Sequence, residues 1–432
     1  MQRFKIFRKS AFLIIVLFLL TLSVVKSVTT PNETVTVSTN KIDKPFVNQN
    51  AIKLYEAQKK ALNNALVAYF KSAITSGNIV GAGVSIVKGD SILISEGFGK
   101  RNIKFNDKVD GETVFRLGSI SKGFTGILAA KLKSEGLLDW NDKVSDYIPE
   151  FKLGDSTNTN KITLATILSQ TSGAPYHSYT NLIEAGLPLT EIAKRFKAVA
   201  PISKPGEIYS YQNAMFALSS VMMQKSTSQD IGTLLNNRFF KPLDMNTISM
   251  DYQTLEHSNN VALPHSKSRN SWKTLKLNHH YYNAIACGGI NASALDMAKW
   301  MELLLGHHPE IMDNSTLKEV FSPFIEIKDH NKYYQKWPGH VSSSYGFGWR
   351  IHEFLENDEQ KIMIHHGGSV NSYRNEIAIF PDADLGICVL MNSNSKLAKT
   401  VIPDIYKIVN DVFSKTSPEN TLAKNALVTL IP

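Results

Sequence analysis

Cysteine is almost missing: the 432 residues hold two, Cys287 and Cys388. That excludes a small scaffold stapled by disulfides. An exported chain could join the pair, but Cys388 falls inside the apolar run 386–391, so both read as buried free thiols. The doublets His279-His280 and His307-His308 lack metal-ligand spacing, and no metal site is expected. No Gly-x-Ser-x-Gly pentapeptide occurs, which removes the signature of an α/β-hydrolase. Internal repeats and long low-complexity tracts are missing too.

Acids are absent before Glu33, whereas Arg3, Lys5, Arg8 and Lys9 precede the apolar run 11–25. This is the pattern of an export signal, so residues 1–27 read as a signal peptide or an uncleaved membrane anchor. The run is short for a membrane span, and no cysteine near its end offers a lipid attachment point. The formal charge of +9 shrinks accordingly, because five of the 47 basic residues lie in this segment and 42 then face 38 acids. Such a balance calls for no nucleic-acid partner.

After a polar linker over 28–50, apolar positions from 52 to about 74 recur with helical period. Two apolar runs, 82–87 and 91–98, flank Lys88-Gly89-Asp90 and predict a β-hairpin. From about 120 to 310 helical segments alternate with polar loops, and 253–283 is a long polar stretch without clear periodicity. Strands return at 345–351, 361–365, 375–380 and 386–391, followed by an amphipathic helix over 401–413. An α+β fold follows. The N- and C-terminal strands share one antiparallel sheet, terminal helices cover one face, and an all-helical middle forms a second lobe. The domain spans 51–415, and 416–432 is a tail.

Chemistry concentrates in three places. In Phe115-Arg116-Leu117-Gly118-Ser119-Ile120-Ser121-Lys122 a serine stands at a helix start, where the dipole favours a developing oxyanion. Lys122, three residues on, shares its helix face. An amine held away from water among positive charge gives up its proton more readily and can serve the serine. The spacing alone recurs five times, for example at Ser85/Lys88 and Ser315/Lys318, so it carries weight only with its company. The second place is Tyr209-Ser210-Tyr211-Gln212-Asn213 ahead of an apolar helix, where a phenol and an amide can point together into a cleft. The bland alternative is a turn tyrosine with its amide capping the helix. The third is Ile364-His365-His366-Gly367-Gly368-Ser369 at the end of an apolar strand, where glycines permit close backbone approach. Its alternative is a strand-to-loop turn with a solvent-facing histidine.

In this order the three motifs resemble the serine β-lactamase and penicillin-binding protein superfamily, most of all its class C β-lactamase and D,D-carboxypeptidase branch. Leu168-Ser169-Gln170-Thr171-Ser172-Gly173, Gly288-Gly289-Ile290 and Tyr345-Gly346-Phe347-Gly348-Trp349 add to the likeness. The resemblance implies that Ser119 is acylated, with Lys122 its proton partner and Tyr211 a general base or relay. It implies substrate contacts from Asn213, His366, Gly368 and Ser369, with the oxyanion hole made by the N–H groups of Ser119 and Ser369. It also implies no cofactor and a bacterial periplasmic or outward-anchored location. The substrates would be β-lactams, D-Ala–D-Ala-type wall peptides or small esters. His366 stands where class C enzymes usually carry lysine, and a neutral imidazole holds a carboxylate less firmly than an ammonium. An esterase or D-amino-acid peptidase of the same fold is therefore the alternative enzyme. A wall-ligand receptor that never turns over is the alternative of a different class.

Overall fold

The computed structural model describes residues 49–415 apart from 155, 270 and 330. The expected signal, nearly all of the linker and the tail lie outside these residues. Residues 1–52 separate from 53–432 as a unit of their own, and only 49–52 of the former are described, within the helix Gln49–Thr75, here α1.

The main sheet is antiparallel throughout, in the order β2-β1-β12-β11-β10-β9-β8-β7. Its strands are β1 Gly81–Lys88, β2 Ser91–Gly99, β7 Ile325–Glu326, β8 His340–Tyr345, β9 Arg350–Glu356, β10 Glu359–Val370, β11 Tyr373–Phe380 and β12 Leu385–Met391. The β3–β6 pair (Phe115–Arg116 and Asn291–Ala292) and the β4–β5 pair (His265–Ser268 and Ser271–Thr274) form two smaller sheets. As expected, the N-terminal hairpin joins the C-terminal strands, through β1 against β12.

Residues of β12 are buried along its whole length because both faces are covered. Leu385, Ile387, Val389 and Met391 meet Leu62, Leu66 and Phe70 of α1 and Ile402, Ile405 and Val409 of the closing helix Val401–Lys415. Cys388 and Leu390 belong to the opposite core, with the helix Ser121–Ser134, here α2. Both cysteines are free and buried.

Three expectations change. The run 345–351 is not one strand: β8 ends at Tyr345, β9 starts at Arg350, and residues 346–349 turn between them. Gly348 takes φ +82°, and a Cβ on Gly346 would stand 2.6 Å from the Val320 carbonyl, so glycine forces the reversal. The middle lobe is mostly helical but carries the two small sheets. The stretch 253–283 is not bare loop, since it holds the end of the helix Tyr252–His257 and the β4–β5 hairpin.

Candidate active site

The nucleophile turn is shaped by contacts that tolerate no side chain. Gly118 opens a 3₁₀ turn, Gly118–Ile120, at φ +58°, and a Cβ there would lie 2.9 Å from backbone atoms of Ser369. On the neighbouring strand, a Cβ on Gly368 would lie 2.0 Å from the Leu117 carbonyl. Asn375 on β11 donates to the carbonyls of Arg116 (2.8 Å) and Leu117 (3.2 Å). The turn is thereby pinned to the sheet, and Ser119 is left half-buried at the entry to α2. α2 is buried nearly all round, and its glycines admit the β8–β9 turn, with Trp349 against Gly123 and the Phe347 carbonyl against Gly126.

Lys122 is fully buried, and its three N–H positions have three acceptors. Nζ reaches Asn213 Oδ1 at 2.7 Å, the Cys287 carbonyl at 2.9 Å and Ser119 Oγ at 3.3 Å. The Tyr211 hydroxyl donates to Ser119 Oγ at 2.9 Å, and Lys122 Nζ lies 4.8 Å from the centre of the Tyr211 ring. One hydroxyl thus has an amine and a phenol within proton-transfer reach. Asn213 is the first residue of the helix Asn213–Thr227, whose N-cap is Gln212, so it does not cap the helix, and its amide oxygen accepts from Lys122. The preceding segment is held open by Gln170, whose carbonyl accepts from the Ser210 amide (2.8 Å) and whose Oε1 accepts from the Gln212 amide (2.6 Å). That explains a polar stretch around Gln170 inside an apolar lobe.

The third motif lies within β10, which continues to Val370. β9 accompanies β10 only as far as the Arg350–His365 rung, so residues 366–370 have no β9 partner and that edge meets the cleft. Gly367 and Ser369 line the cleft; His366 and Gly368 do not. His366 is fully buried with Nδ1 2.8 Å from the Gly367 carbonyl and Nε2 3.1 Å from the Tyr345 hydroxyl. A carbonyl only accepts, so Nδ1 carries the hydrogen and Nε2 accepts from Tyr345. Burial, then the charges of Arg350 and Lys122, hold this imidazole neutral, well below the usual histidine value. The solvent-facing histidine of the alternative reading is not found.

The cleft has a volume of about 280 Å³. A larger, apolar groove of about 550 Å³ lies between the closing helix and β9–β10 and contains none of the motif residues, so the chemistry places the site in the smaller one. Motif reading missed most of the cleft wall. It includes Tyr176, His177, Tyr209, Tyr281, Tyr333 and Tyr334, with Lys332, Arg350 and Arg374, and no acid among the described lining residues. His177 bonds Thr180 Oγ1 at 3.0 Å, and burial followed by the Lys122 charge lowers its pKa. Beneath Gly367 runs a buried polar chain. His340 Nε2, Ser343 Oγ and His352 Nδ1 follow one another at 2.7 and 2.8 Å, His352 Nε2 meets His365 Nδ1 at 3.3 Å, and His365 Nε2 meets Glu376 at 2.8 Å. Tyr333 closes it, donating to the same Glu376 oxygen at 2.7 Å. No local spacing in the sequence announces this chain, because strand register assembles it.

A broad antiparallel sheet with helices on both faces, and a serine and lysine one helical turn apart beside its β10 edge, is the β-lactamase/transpeptidase fold. The chain belongs to the beta-lactamase family, whose family description matches residues 64–407. It is 26% identical to Protein flp of Staphylococcus aureus (strain COL) over 340 residues, 78% of this chain and 64% of that protein, so it spans less than two thirds of that relative. In structure it is similar to the octameric penicillin-binding protein homologue from Pyrococcus abyssi, with TM-score 0.67, 23% identity and coverage of 80% and 77% of the two chains. It is also similar to EstCE1, a hydrolase with promiscuous acyltransferase activity, with TM-score 0.68, 17% identity and coverage of 81% and 99%.

Proposed function

We propose that the protein is a serine hydrolase that works through a covalent acyl-enzyme. The observation that carries this is the placement of Ser119 Oγ, 2.9 Å from the Tyr211 hydroxyl and 3.3 Å from Lys122 Nζ, on a cleft bounded by the open edge of β10. Ser119 Oγ attacks the carbonyl of an ester, amide or β-lactam and gives its proton to Lys122 in its neutral amine form, while the Tyr211 hydroxyl protonates the leaving oxygen or nitrogen as that bond breaks and is itself reprotonated from Lys122. The N–H groups of Ser119 and Ser369 hold the oxyanion. Water then attacks the acyl carbonyl, yielding the free acid and returning a proton to Ser119. Asn213 keeps Lys122 in place.

Two substrate classes are open to this site. The family resemblance favours β-lactams and D-Ala–D-Ala-type peptides, as in the class C and D,D-carboxypeptidase branch. The neutral, buried His366 favours an esterase or D-amino-acid peptidase, because the third motif brings no charge of its own to the cleft. Export is part of the reading, resting on the basic residues ahead of the apolar run 11–25.

The test is labelling with a fluorescent penicillin and, in parallel, turnover of small p-nitrophenyl esters, with Ser119→Ala as control. An adduct mapped by mass spectrometry to the peptide holding Ser119, or ester turnover lost in the control, supports the reading. Neither adduct nor turnover leaves a receptor of the same fold and sinks the hydrolase.

A further inference from the structure

We propose that His340, Ser343, His352 and His365 form a proton relay through the sheet, by which Glu376, beneath the floor of the active-site cleft, exchanges its proton with the larger groove. The inference goes beyond the hydrolase reading and rests on it only for its consequence in turnover. The two ends of this buried chain open on different cavities. His340 and His352 line the groove, whereas Tyr333, which donates to Glu376, lines the cleft beside Gly367. A Cβ on Gly367 would stand 2.7 Å from the Tyr333 hydroxyl and 2.8 Å from Glu376 Oε2, so glycine keeps this pair at the cleft floor. Apolar side chains of similar volume would fill the space without the desolvation that these groups suffer.

Every link can both give and take a hydrogen. Burial above all holds His352 and His365 neutral, so each has one N–H and one bare ring nitrogen. Two patterns then satisfy the whole chain. In the first, Glu376 is a carboxylate and every hydrogen points toward it: His340 Nε2–H to Ser343 Oγ, Ser343 O–H to His352 Nδ1, His352 Nε2–H to His365 Nδ1, and His365 Nε2–H to Glu376 Oε2. In the second, Glu376 is the acid and every hydrogen points away. A proton from groove water added at His340 Nδ1 converts the first pattern into the second, as each hydrogen crosses one contact and the last joins Glu376. One proton is taken up, no group between the ends changes charge, and the reverse sequence returns it. Around the carboxyl stand His365 from β10, Arg350 from β9, Tyr333 from the 3₁₀ turn Tyr333–Lys336, Arg374 from its own strand and Cys388 from β12. Burial outweighs Arg374, the Tyr333 hydrogen bond and Arg350 and brings the carboxyl to about 7, so it loads and unloads near neutral pH. Glu376 Oε1 is buried without a hydrogen-bond partner among the described residues, 3.5 Å from Arg374 Nη2. Loading the carboxyl therefore strips Arg374, on the cleft wall, of its counter-charge.

The experiment is infrared spectroscopy of the whole protein after a pH jump from 8 to 6, following the carboxylic-acid band that Glu376→Gln removes. Ser343→Val and Ser343→Thr are matched in shape and differ in the hydroxyl. The band should rise about 100-fold more slowly in Ser343→Val than in Ser343→Thr, the scale on which loss of a positioned proton carrier acts. Tyr333→Phe cuts only the cleft end and should leave the rise as fast as in the wild type. No band assignable to Glu376, a ratio of less than about tenfold between the Val and Thr variants, or slowing in Tyr333→Phe alone overturns the relay. Should the Ser343 variants fail to fold, His340→Leu, at the half-buried groove end, takes their place, and an unslowed rise there is equally fatal. In turnover of p-nitrophenyl acetate, the pH profile of kcat/KM should carry an inflection near 7 that Glu376→Gln abolishes, and identical profiles overturn the link to the cleft. If the wild type hydrolyses no ester, the hydrolase reading fails while the infrared measurement still judges the relay.

Discussion

Gly368 lies so close to Leu117 that any Cβ on it would stand 2.0 Å from the Leu117 carbonyl oxygen. The third motif therefore acts on the nucleophile through the backbone. Its second glycine lets β10 seat the turn that carries Ser119, while its other face presents Gly367 and Ser369 to the cleft.

Gly368→Ala should accordingly displace the turn. Backbone cannot swing aside as a side chain can, so the added methyl should destabilise by about 1–3 kcal/mol and misplace Ser119. Acylation by penicillin or ester should fall about 100-fold, since an ångström of misplacement is worth that much. Stopped-flow acylation and thermal unfolding of the variant read both effects. An unchanged acylation rate would mean that the turn is fixed by Asn375 alone.

Tyr211→Phe separates the two proton carriers. It removes only the hydroxyl that donates to Ser119 Oγ and leaves the ring against Lys122. Loss of a general acid–base group costs about 10²–10⁴ in rate, so kcat/KM should fall in that range with little change in unfolding temperature. A fall of less than tenfold would assign the proton transfer to Lys122 without the phenol.

Asn213→Ala differs because it acts within a buried cluster. Lys122 Nζ would lose its shortest contact, at 2.7 Å, while remaining fully buried. An unsatisfied buried donor costs about 1–3 kcal/mol or more when charged, so both stability and activity should drop. Asn213→Asp should recover stability better than Asn213→Ala, because a carboxylate still accepts from the amine. Equal unfolding temperatures for wild type and Asn213→Ala would remove Asn213 from its supporting role.

What the sequence disclosed follows from the range of each interaction. The hairpin 82–87/91–98 and the burial of Cys388 were readable because apolar runs and a Lys-Gly-Asp turn are local signals. Ser119 and Lys122 share one helical turn, so their proximity was readable too. The break at Gly346 was hidden in an apolar run, since the carbonyls of Val320 and Ser322, distant in sequence, show why that residue must be glycine. Which face His366 occupies depends on cross-strand partners, and so does the meeting of His352, His365 and Glu376. Arg350 was invisible for the same reason: an arginine after tryptophan means nothing until the strand beside it ends.

The buried pair His365–Glu376 makes stability depend on pH in two opposing ways. Burial pushes the Glu376 carboxyl up to about 7, from an ordinary value of 4.5. Between those values the folded state holds a proton that the unfolded chain has released, so this group's contribution to stability declines as pH rises from about 4.5 through 7. Burial acts oppositely on His365 and His352, holding both well below 6.5, so their contribution declines as pH falls below about 6.5. Glu376→Gln removes the first contribution and leaves the second, while the amide oxygen still accepts from His365 and Tyr333. The difference in unfolding free energy, variant minus wild type, should therefore rise from pH 5 to pH 8 by on the order of 1–3 kcal/mol, since one proton held across a pH interval of one is worth about 1.4 kcal/mol. Urea unfolding at both pH values measures it. A difference that stays constant would show that Glu376 is ionised across the whole range, with its proton on His365.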